Sequence, residues 1–320
     1  MARARQQPAV AHAKPAGGRV QTAVLVAGIV IGLCLVGYYP ASEFLDALNR
    51  ARTATEVDEA AEGASSETIA ELFAQARAYN QQLAGLEPDI DADDIWPYEE
   101  QLALTGHNTA FGYVIIPDIS LTMPIYHGTS NSALAAGAGH LETSSLPIGG
   151  ESTHSVITAH SGMSGMRAFD DIQQLEVGDV FGINVLGTLI CYEVTSTEVI
   201  EPDELDSLAI EIGEDLCTLV TCTPYGVNTH RYLVHGTRCA VPDDFDGSVS
   251  SPLASVLASE RLRPYVIALA IALALVVMLV AYRLHRRRAN RKLPAQGGTV
   301  GSSDRLGQRE GSSDEQQRDE

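Results

Sequence analysis

Cys222 closes the β-branched run Cys217–Cys222 (CTLVTC) and is followed by TPYGVNTHR, a turn leading into another strand. A thiol at a strand end beside an open loop is accessible, whereas a mid-strand thiol usually serves as a small core residue. Nine residues on, Arg231 opens the next strand. If the two strands pair as neighbours, its guanidinium reaches the Cys end of the sheet. A fixed cation there favours thiolate and can stabilise the oxyanion of a tetrahedral intermediate. Attack by sulfur on a carbonyl also needs a proton donor for the leaving group, most often a histidine. The chain has 9 His, and composition does not choose among them. His160, in SVITAHSGM, stands where a strand runs into a Ser-Gly turn. His127, His140, His154, His230 and His235 lie in the same β-rich region, and each reads equally well as an imidazole satisfied by a backbone group. His230 adjoins Arg231, points to the opposite face of its strand, and is assigned no chemistry.

These residues sit in a region built from short strands. From Gly112 onward, YVIIP, LTMPIY, HSVITAH, VFGINVL, TLICYEVTSTEVI, CTLVTC and RYLVHGTR are rich in β-branched residues and separated by Gly, Pro, Asn and Asp. Such spacing predicts an antiparallel sandwich or a closed barrel rather than alternating α/β. Short helices fit SGMRAFDDIQQL and EPDELDSLA. Upstream, ETIAELFAQARAYNQQLAGL places Ile69, Leu72, Phe73, Ala76, Tyr79 and Leu83 at helical spacing, predicting an amphipathic helix that begins near Ser66.

Two apolar runs bracket this region. Val20–Tyr39 and Pro264–Tyr282 carry no charge, and a helix needs about 20 residues to cross the hydrocarbon core. Each has Tyr at an end, where an amphipathic ring prefers the interface. The first run is long for a cleaved signal peptide and no clear small-x-small site follows it, so it reads as an uncleaved anchor. Arg3, Arg5, Lys14 and Arg19 precede it without any acid, while Arg283, Arg286, Arg287, Arg288, Arg291 and Lys292 follow the second run. The positive-inside rule puts both flanks in the cytoplasm and residues 40–263 outside.

The overall charge of −20, from 21 Lys+Arg and 41 Asp+Glu in 320 residues, therefore resolves into +4 before the first span, −27 outside and +3 after the second. An acidic surface argues against nucleic acid as a partner, because phosphate neutralisation needs a basic one. Hydrophobic residues at 45% exclude a disordered chain, and 5 Cys exclude a disulfide-dense scaffold. Cys34 sits in the first span; of Cys191, Cys217 and Cys239 at most one pair could bridge, and Cys222 is expected free. The two Lys, Lys14 and Lys292, both lie in the cytoplasmic flanks, so the external region has none. Two readings of that absence stand side by side: it removes self-acylation, or it reflects compositional drift.

Thr218–Arg238 (TLVTCTPYGVNTHRYLVHGTR) resembles the active-site signature of sortases, specifically the pilus-assembling class C. The match includes Cys222 in the TLxTC motif and Arg231 in an NTHRLLV-type stretch, with Tyr232 where Leu is common. Thr158-Ala159-His160-Ser161-Gly162 matches the family's TGH-type motif, with Ala159 in place of Gly. PIYHGTS, GAGHLETSSLPIGGESTHSV and LEVGDVFGI also occur in order, so the resemblance covers about residues 75–242.

The resemblance implies a mainly β fold: a closed sortase-type β-barrel of about eight strands with short helices, flanked by two transmembrane helices. It implies a cysteine transpeptidase with Cys222 as nucleophile, His160 as proton donor and Arg231 as oxyanion partner, with no cofactor and no metal. The expected substrates are LPxTG-bearing pilin subunits and surface proteins, cleaved between Thr and Gly and joined to a pilin Lys. A cell-wall precursor or peptidoglycan cross-bridge amine is the alternative acceptor, and a non-catalytic membrane-tethered binding domain is the non-enzyme alternative.

Class C enzymes usually carry an Asp-Pro-aromatic lid over the Cys. This chain has no such triplet, and Asp94-Ile95-Trp96-Pro97 stands in its place. Trp96 is thus the expected plug, with Asp93 or Asp94 facing Arg231; the alternative is that Trp96 packs on the barrel within a solvated acidic segment. The expected organisation is a cytoplasmic flank (1–19), a span (20–39), an external helical region with the lid (40–100), the catalytic barrel (101–245), a linker (246–263), a second span (264–282), and a cytoplasmic flank with a disordered tail (283–320).

Overall fold

Runs of β-branched residues bounded by turn residues form eight strands: β1 (Gly112–Ile116), β2 (Leu121–His127), β3 (Ala138–His140), β4 (Thr153–Thr158), β5 (Val180–Val185), β6 (Thr188–Ile200), β7 (Asp215–Thr223) and β8 (His230–Cys239). In this computed structural model, which describes residues 17–162, 167–259 and 262–291, the strands close into a barrel in the order β1-β2-β3-β4-β7-β8-β6-β5, with β5 returning to β1. Of the two expected architectures the closed barrel is the one formed. Its sheet is mixed rather than antiparallel, because β2–β3 and β4–β7 run parallel. Parallel neighbours need a crossover; α3 (Asn131–Ala136) lies in the first and the β5–β6 hairpin in the second.

The barrel core contains Leu121, Met123, Ile125, Ile157, Phe181, Tyr192, Leu219 and Val234, all at most 1% exposed. Phe181 stacks on Tyr192 with ring centroids 5.7 Å apart. A Cβ on Gly236 would lie 2.7 Å from the Phe181 ring, so glycine is what lets the ring rest on β8. All five cysteines are free thiols. Cys191 and Cys239 are register partners across β6 and β8, and burial pushes the Cys191 thiol up to about 11.

Helix α2 (Ser66–Leu83) begins where the periodicity predicts, capped by Ser65, whose Oγ accepts from the Thr68 N–H at 3.0 Å. Leu72 and Ala76 are buried against the barrel core, with Ile69, Phe73 and Tyr79 beside them; Leu83 remains exposed. Asn80 brackets the backbone of Leu146, donating to its carbonyl at 3.0 Å and accepting from its N–H at 2.7 Å.

Three expectations need correction. The first apolar helix does not stop at Tyr39: α1 (Gly17–Gly63) continues unbroken through Pro40. Pro40 removes one intrahelical bond, but Glu43, Ala47, Arg50, Ala54 and Val57, spaced at helical intervals, are all buried, and that packing carries the helix onward. The segment 246–263 is not a plain linker, since it contains α4 (Pro252–Ala258), which packs on α1. The two short helices reduce to 3-10 turns at Ile172–Gln174 and Asp206–Leu208. Each is closed by an i→i+3 bond, Gln174 N–H to the Asp171 carbonyl at 3.0 Å and Leu208 N–H to the Leu205 carbonyl at 3.0 Å, and neither run extends into a full helical turn. The start of the first of these segments, Ser164–Met166, lies outside the described residues, as do Arg3, Arg5, Lys14 and the tail from Leu293.

The second apolar run is α5 (Arg263–Arg291). The chain divides at Ala272/Leu273 into two units, the second of which continues α5 from Leu273. Both α1 and α5 contain stretches long and apolar enough to cross a membrane.

His140 is a core imidazole. Its Nε2 donates to the Ser145 carbonyl at 2.8 Å, so in the neutral ring Nδ1 accepts from the Tyr98 hydroxyl at 2.9 Å. Burial drops its pKa to about 4, and His127 and His154 shift in the same direction for the same reason. An imidazole whose folded pKa lies below its unfolded value of about 6.5 binds fewer protons when folded, so stability is lost as pH falls from there toward 4. For His140 alone the loss is on the order of 3 kcal/mol. Urea unfolding from pH 7 to pH 4 should show that decline, and His140→Phe should flatten it.

Candidate active site

The β4–β7–β8–β6 wall of the barrel places the three expected residues side by side. Cys222 and Arg231 are direct partners in the β7–β8 register, and Arg231 is also paired with Ile200 of β6. Strand β4 runs parallel to β7 with Thr158 opposite Val220. The Ala159 N–H donates to the Val220 carbonyl at 3.1 Å, so the register carries on past the strand end and brings His160 alongside Cys222. All three side chains are half-buried and line one cavity of about 430 Å3.

Alternation along the strands decides the face. Cys217 and Leu219 point into the core, while Val220 belongs to a separate cluster with Val156, Ile200 and Leu233. Cys222 shares the face of Val220. The cavity is therefore a groove on the outer wall, floored by that apolar cluster. Thr129 and Leu134 line one flank; Pro202, Leu205 and Leu208, from the connection 201–214 between β6 and β7, line the other.

The His160 turn is held from four sides. Thr221 Oγ1 donates to the Ala159 carbonyl at 2.9 Å, Ser161 Oγ donates to the Cys222 carbonyl, Phe169 N–H donates to the His160 carbonyl at 3.0 Å, and Gly162 N–H donates to Asp170 Oδ1 at 2.8 Å. Gly162 adopts φ +78°, and a Cβ there would meet Gly226 N at 2.9 Å, which shows how closely this turn abuts the β7–β8 loop. Arg231 Nη1 donates to the carbonyls of Asn228 and His230 at 3.3 and 3.1 Å, so the guanidinium is braced by its own loop. An ordered thiol, imidazole and guanidinium over an apolar floor can attack a carbonyl, protonate a leaving group and bind an oxyanion.

The other expected residues lie elsewhere. Trp96 packs against the barrel core and lines a different cavity with Leu72, Glu100, Leu104 and His107. Its N–H donates to Gln75 Oε1 at 3.0 Å and its carbonyl accepts from Gln101 Nε2 at 2.7 Å. Asp93 and Asp94 are exposed, and the Asp94 carbonyl accepts from Gln75 at 3.3 Å. None of the three lines the Cys222 groove, so in this structure they neither cover the thiol nor face Arg231. Packing of Trp96 on α2 and the barrel uses the ring that would otherwise serve as a plug. His230 pairs with Glu201 at 3.2 Å. His154, Thr218, His235 and Glu198 form a hydrogen-bonded row further along the same wall, with spacings of 2.7, 2.9 and 3.1 Å.

Sequence reasoning missed the groove's flanks. The signal available was the length of the connection 201–214, since long loops in compact domains are usually functional.

The Sortase domain matches residues 114–239. The crystal structure of sortase C1 from Streptococcus agalactiae is similar with a TM-score of 0.55 and 39% identity, over 60% of this chain and 100% of that one. Sortase C of Clostridium perfringens, solved with the C-terminal cell wall sorting motif, is similar at 0.53 and 37%, over 59% and 99%. Sortase A of Streptococcus agalactiae is 26% identical over 134 residues, 41% of this chain; the chain spans 53% of that relative's length.

Proposed function

Because this chain belongs to the sortase family, with class C sortases among its structural neighbours, we propose that it is a membrane-anchored cysteine transpeptidase that polymerises pilin subunits. The alignment of His160, Cys222 and Arg231 across β4, β7 and β8 carries this reading. The Cys222 sulfur attacks the Thr–Gly carbonyl of an LPxTG-like signal, and Arg231 stabilises the resulting oxyanion. As the C–N bond breaks, His160 protonates the departing Gly amine and leaves a thioester on Cys222. A Lys amine of a second subunit then attacks the thioester, passes one proton to His160, and expels the Cys222 sulfur as thiolate as the isopeptide bond forms. Water must be kept out of the thioester stage, and the apolar floor of Val156, Val220, Leu233 and Ile200 supports that.

The solved sortase C carrying a cell wall sorting motif supports the substrate class. The outer groove, open along the strands, suits an extended peptide. In this reading α1 and α5 cross the membrane with both basic flanks in the cytoplasm, and the barrel stands outside the cell. The acidic outer surface would favour approach of a Lys-bearing acceptor.

The test is to incubate the full-length protein, in detergent or nanodiscs, with an LPxTG-type peptide and a Lys-bearing pilin, and to identify products by mass spectrometry. An isopeptide-linked product is expected. Resolution of the adduct only by peptidoglycan-type amines would replace pilus assembly with wall attachment, and absence of any adduct would overturn the enzyme reading.

A further inference from the structure

The Cys222 end of the barrel adjoins the membrane stem. Tyr39, the last residue of the first apolar run, hydrogen-bonds Tyr225 in the β7–β8 loop, three residues beyond Cys222. Tyr39 also contacts Tyr265 at the start of the second apolar run, with ring centroids 5.5 Å apart. Tyr39 and Tyr265, at the boundaries of the two apolar runs, therefore meet beside the β7–β8 loop.

Helix α1 fixes the polarity. The Arg167 N–H donates to Glu43 at 2.8 Å near the base of the His160 loop, while Tyr113, opposite Asn184, donates to Asp58 at 2.8 Å and Ala61 lies against Gly187, both beside the turn between β5 and β6. The helix thus climbs the barrel from the catalytic end to the opposite end. From Cys222 to Asp215, the start of β7, the strand spans roughly 24 Å at about 3.4 Å per residue, and Ile212 lies in the turn just before it.

Among the described residues, exposed apolar side chains gather at the catalytic end, beside the exposed polar Asn228 and Thr229 of the same loop and the acidic Glu201, Asp203 and Glu204 that follow β6. Val227, at the tip of the β7–β8 loop, is 65% exposed, and Tyr225 is 42% exposed. On α1 the outward side just past the apolar run presents Phe44 and Leu48, while its barrel side buries Glu43, Ala47 and Arg50. On α4 the exposed residues are Leu253 and Leu257, one helical turn apart.

We infer that this end of the barrel is seated on the lipid interface, with the β7–β8 loop dipping its Tyr225-Gly226-Val227 tip among the headgroups, so that the Cys222 groove opens at the membrane surface. The occupant is the bilayer itself: these apolar residues are continuous with two apolar runs whose boundary tyrosines touch the loop. Aromatic rings with a polar end favour that boundary. The consequence is a substrate preference by geometry. A peptide tethered to a membrane anchor by a short segment is delivered at the height of the thiol, whereas a peptide far above the surface must diffuse down to it. This inference rests on the reading of α1 and α5 as membrane spans.

Trp96 is the single tryptophan, so a Trp96→Phe background allows placement of one reporter. Val227→Trp, Ile212→Trp and Leu35→Trp are made in the full chain and reconstituted in nanodiscs of 7:3 phosphatidylcholine and phosphatidylglycerol with brominated acyl chains. Quenching of the reporters at 35 and 227, with none at 212, is the expected result. Quenching at 35 alone overturns the seating of the loop while leaving the membrane spans intact. No quenching at 35 removes the spans and this inference with them. In the Trp-containing natural background, Val227→Asp should lower the rate with a membrane-tethered peptide several-fold relative to the same peptide free in solution; an equal rate ratio for the variant and the parent counts against the inference.

Discussion

Cys222→Ala yields no thioacyl adduct and no isopeptide product, with turnover reduced roughly 10^4-fold or more, the scale seen when a covalent nucleophile is deleted. No other thiol of the barrel can substitute, and Cys34 lies in the first apolar run. Cys217 faces the core with 0% exposure, and burial raises its pKa well above the ordinary thiol value; Cys191 is also fully buried. Cys239 lies at the far end of β8, opposite Cys191. The neighbours should grade below the nucleophile. In the proposed mechanism Arg231→Ala removes one oxyanion donor and should cost about 10^2–10^3-fold, while His160→Ala removes acid–base assistance worth about 10^2–10^4-fold. Intact-mass analysis after incubation with an LPxTG-type peptide separates the three, because only the Cys222 variant lacks the bond-forming atom. A Cys222→Ala protein that still formed product would remove Cys222 from the reaction altogether.

The second large effect is on stability. Arg167 is 4% exposed, and its side chain donates to Asp171 at 2.6 Å, the Ser255 carbonyl at 3.0 Å and the Ile119 carbonyl at 2.6 Å. It thus ties the His160 loop to α4 and to the turn before β2. Glu43 accepts from its backbone N–H and from Arg50 at 2.7 Å. Arg167→Met fills much of the volume but leaves Asp171 and two carbonyls without their donor. Breaking a buried pair by removing one partner costs about 3–5 kcal/mol, which lowers the midpoint by roughly 10 °C in a domain of this size. Arg52→Ala is the control: its pair with Glu56 is 79% and 55% exposed, and exposed helix pairs are worth only about 0.3–0.5 kcal/mol. Thermal unfolding of the full chain in detergent distinguishes them, and equal midpoints would show that Arg167 carries no buried load.

Local features were legible because they need no distant partner. A Cys and an Arg nine residues apart across one loop are close along the chain, and the six-residue connection 224–229 between β7 and β8 sets the register that makes them face each other. The α2 cap at Ser65 and its apolar spacing are equally local. The stem of α1 was harder to read. Its buried face is Glu43, Ala47, Arg50, Ala54 and Val57, two charges and two alanines in five, which leaves almost no apolar periodicity. Those charges are buried only because Arg167, far along the chain, closes over Glu43. Trp96 shows the limit from the other side, since an aromatic in an acidic segment fits either a plug or a packing residue, and the carbonyl-and-amide grip of Gln75 and Gln101 holds it against the barrel.

By itself the sequence determined the charge asymmetry, the two apolar runs and seven of the strands, because composition and short-range alternation encode them, and it nominated Cys222, Arg231 and His160 as candidates. Only the tertiary structure decided that β4 lies parallel to β7, which carries His160 to Cys222, and that the trio stands on the outer wall. It also decided that Tyr39 meets Tyr225. Those facts depend on which distant strands pair and which face closes inward, and pairing is settled by the burial of the whole core rather than by any segment read alone.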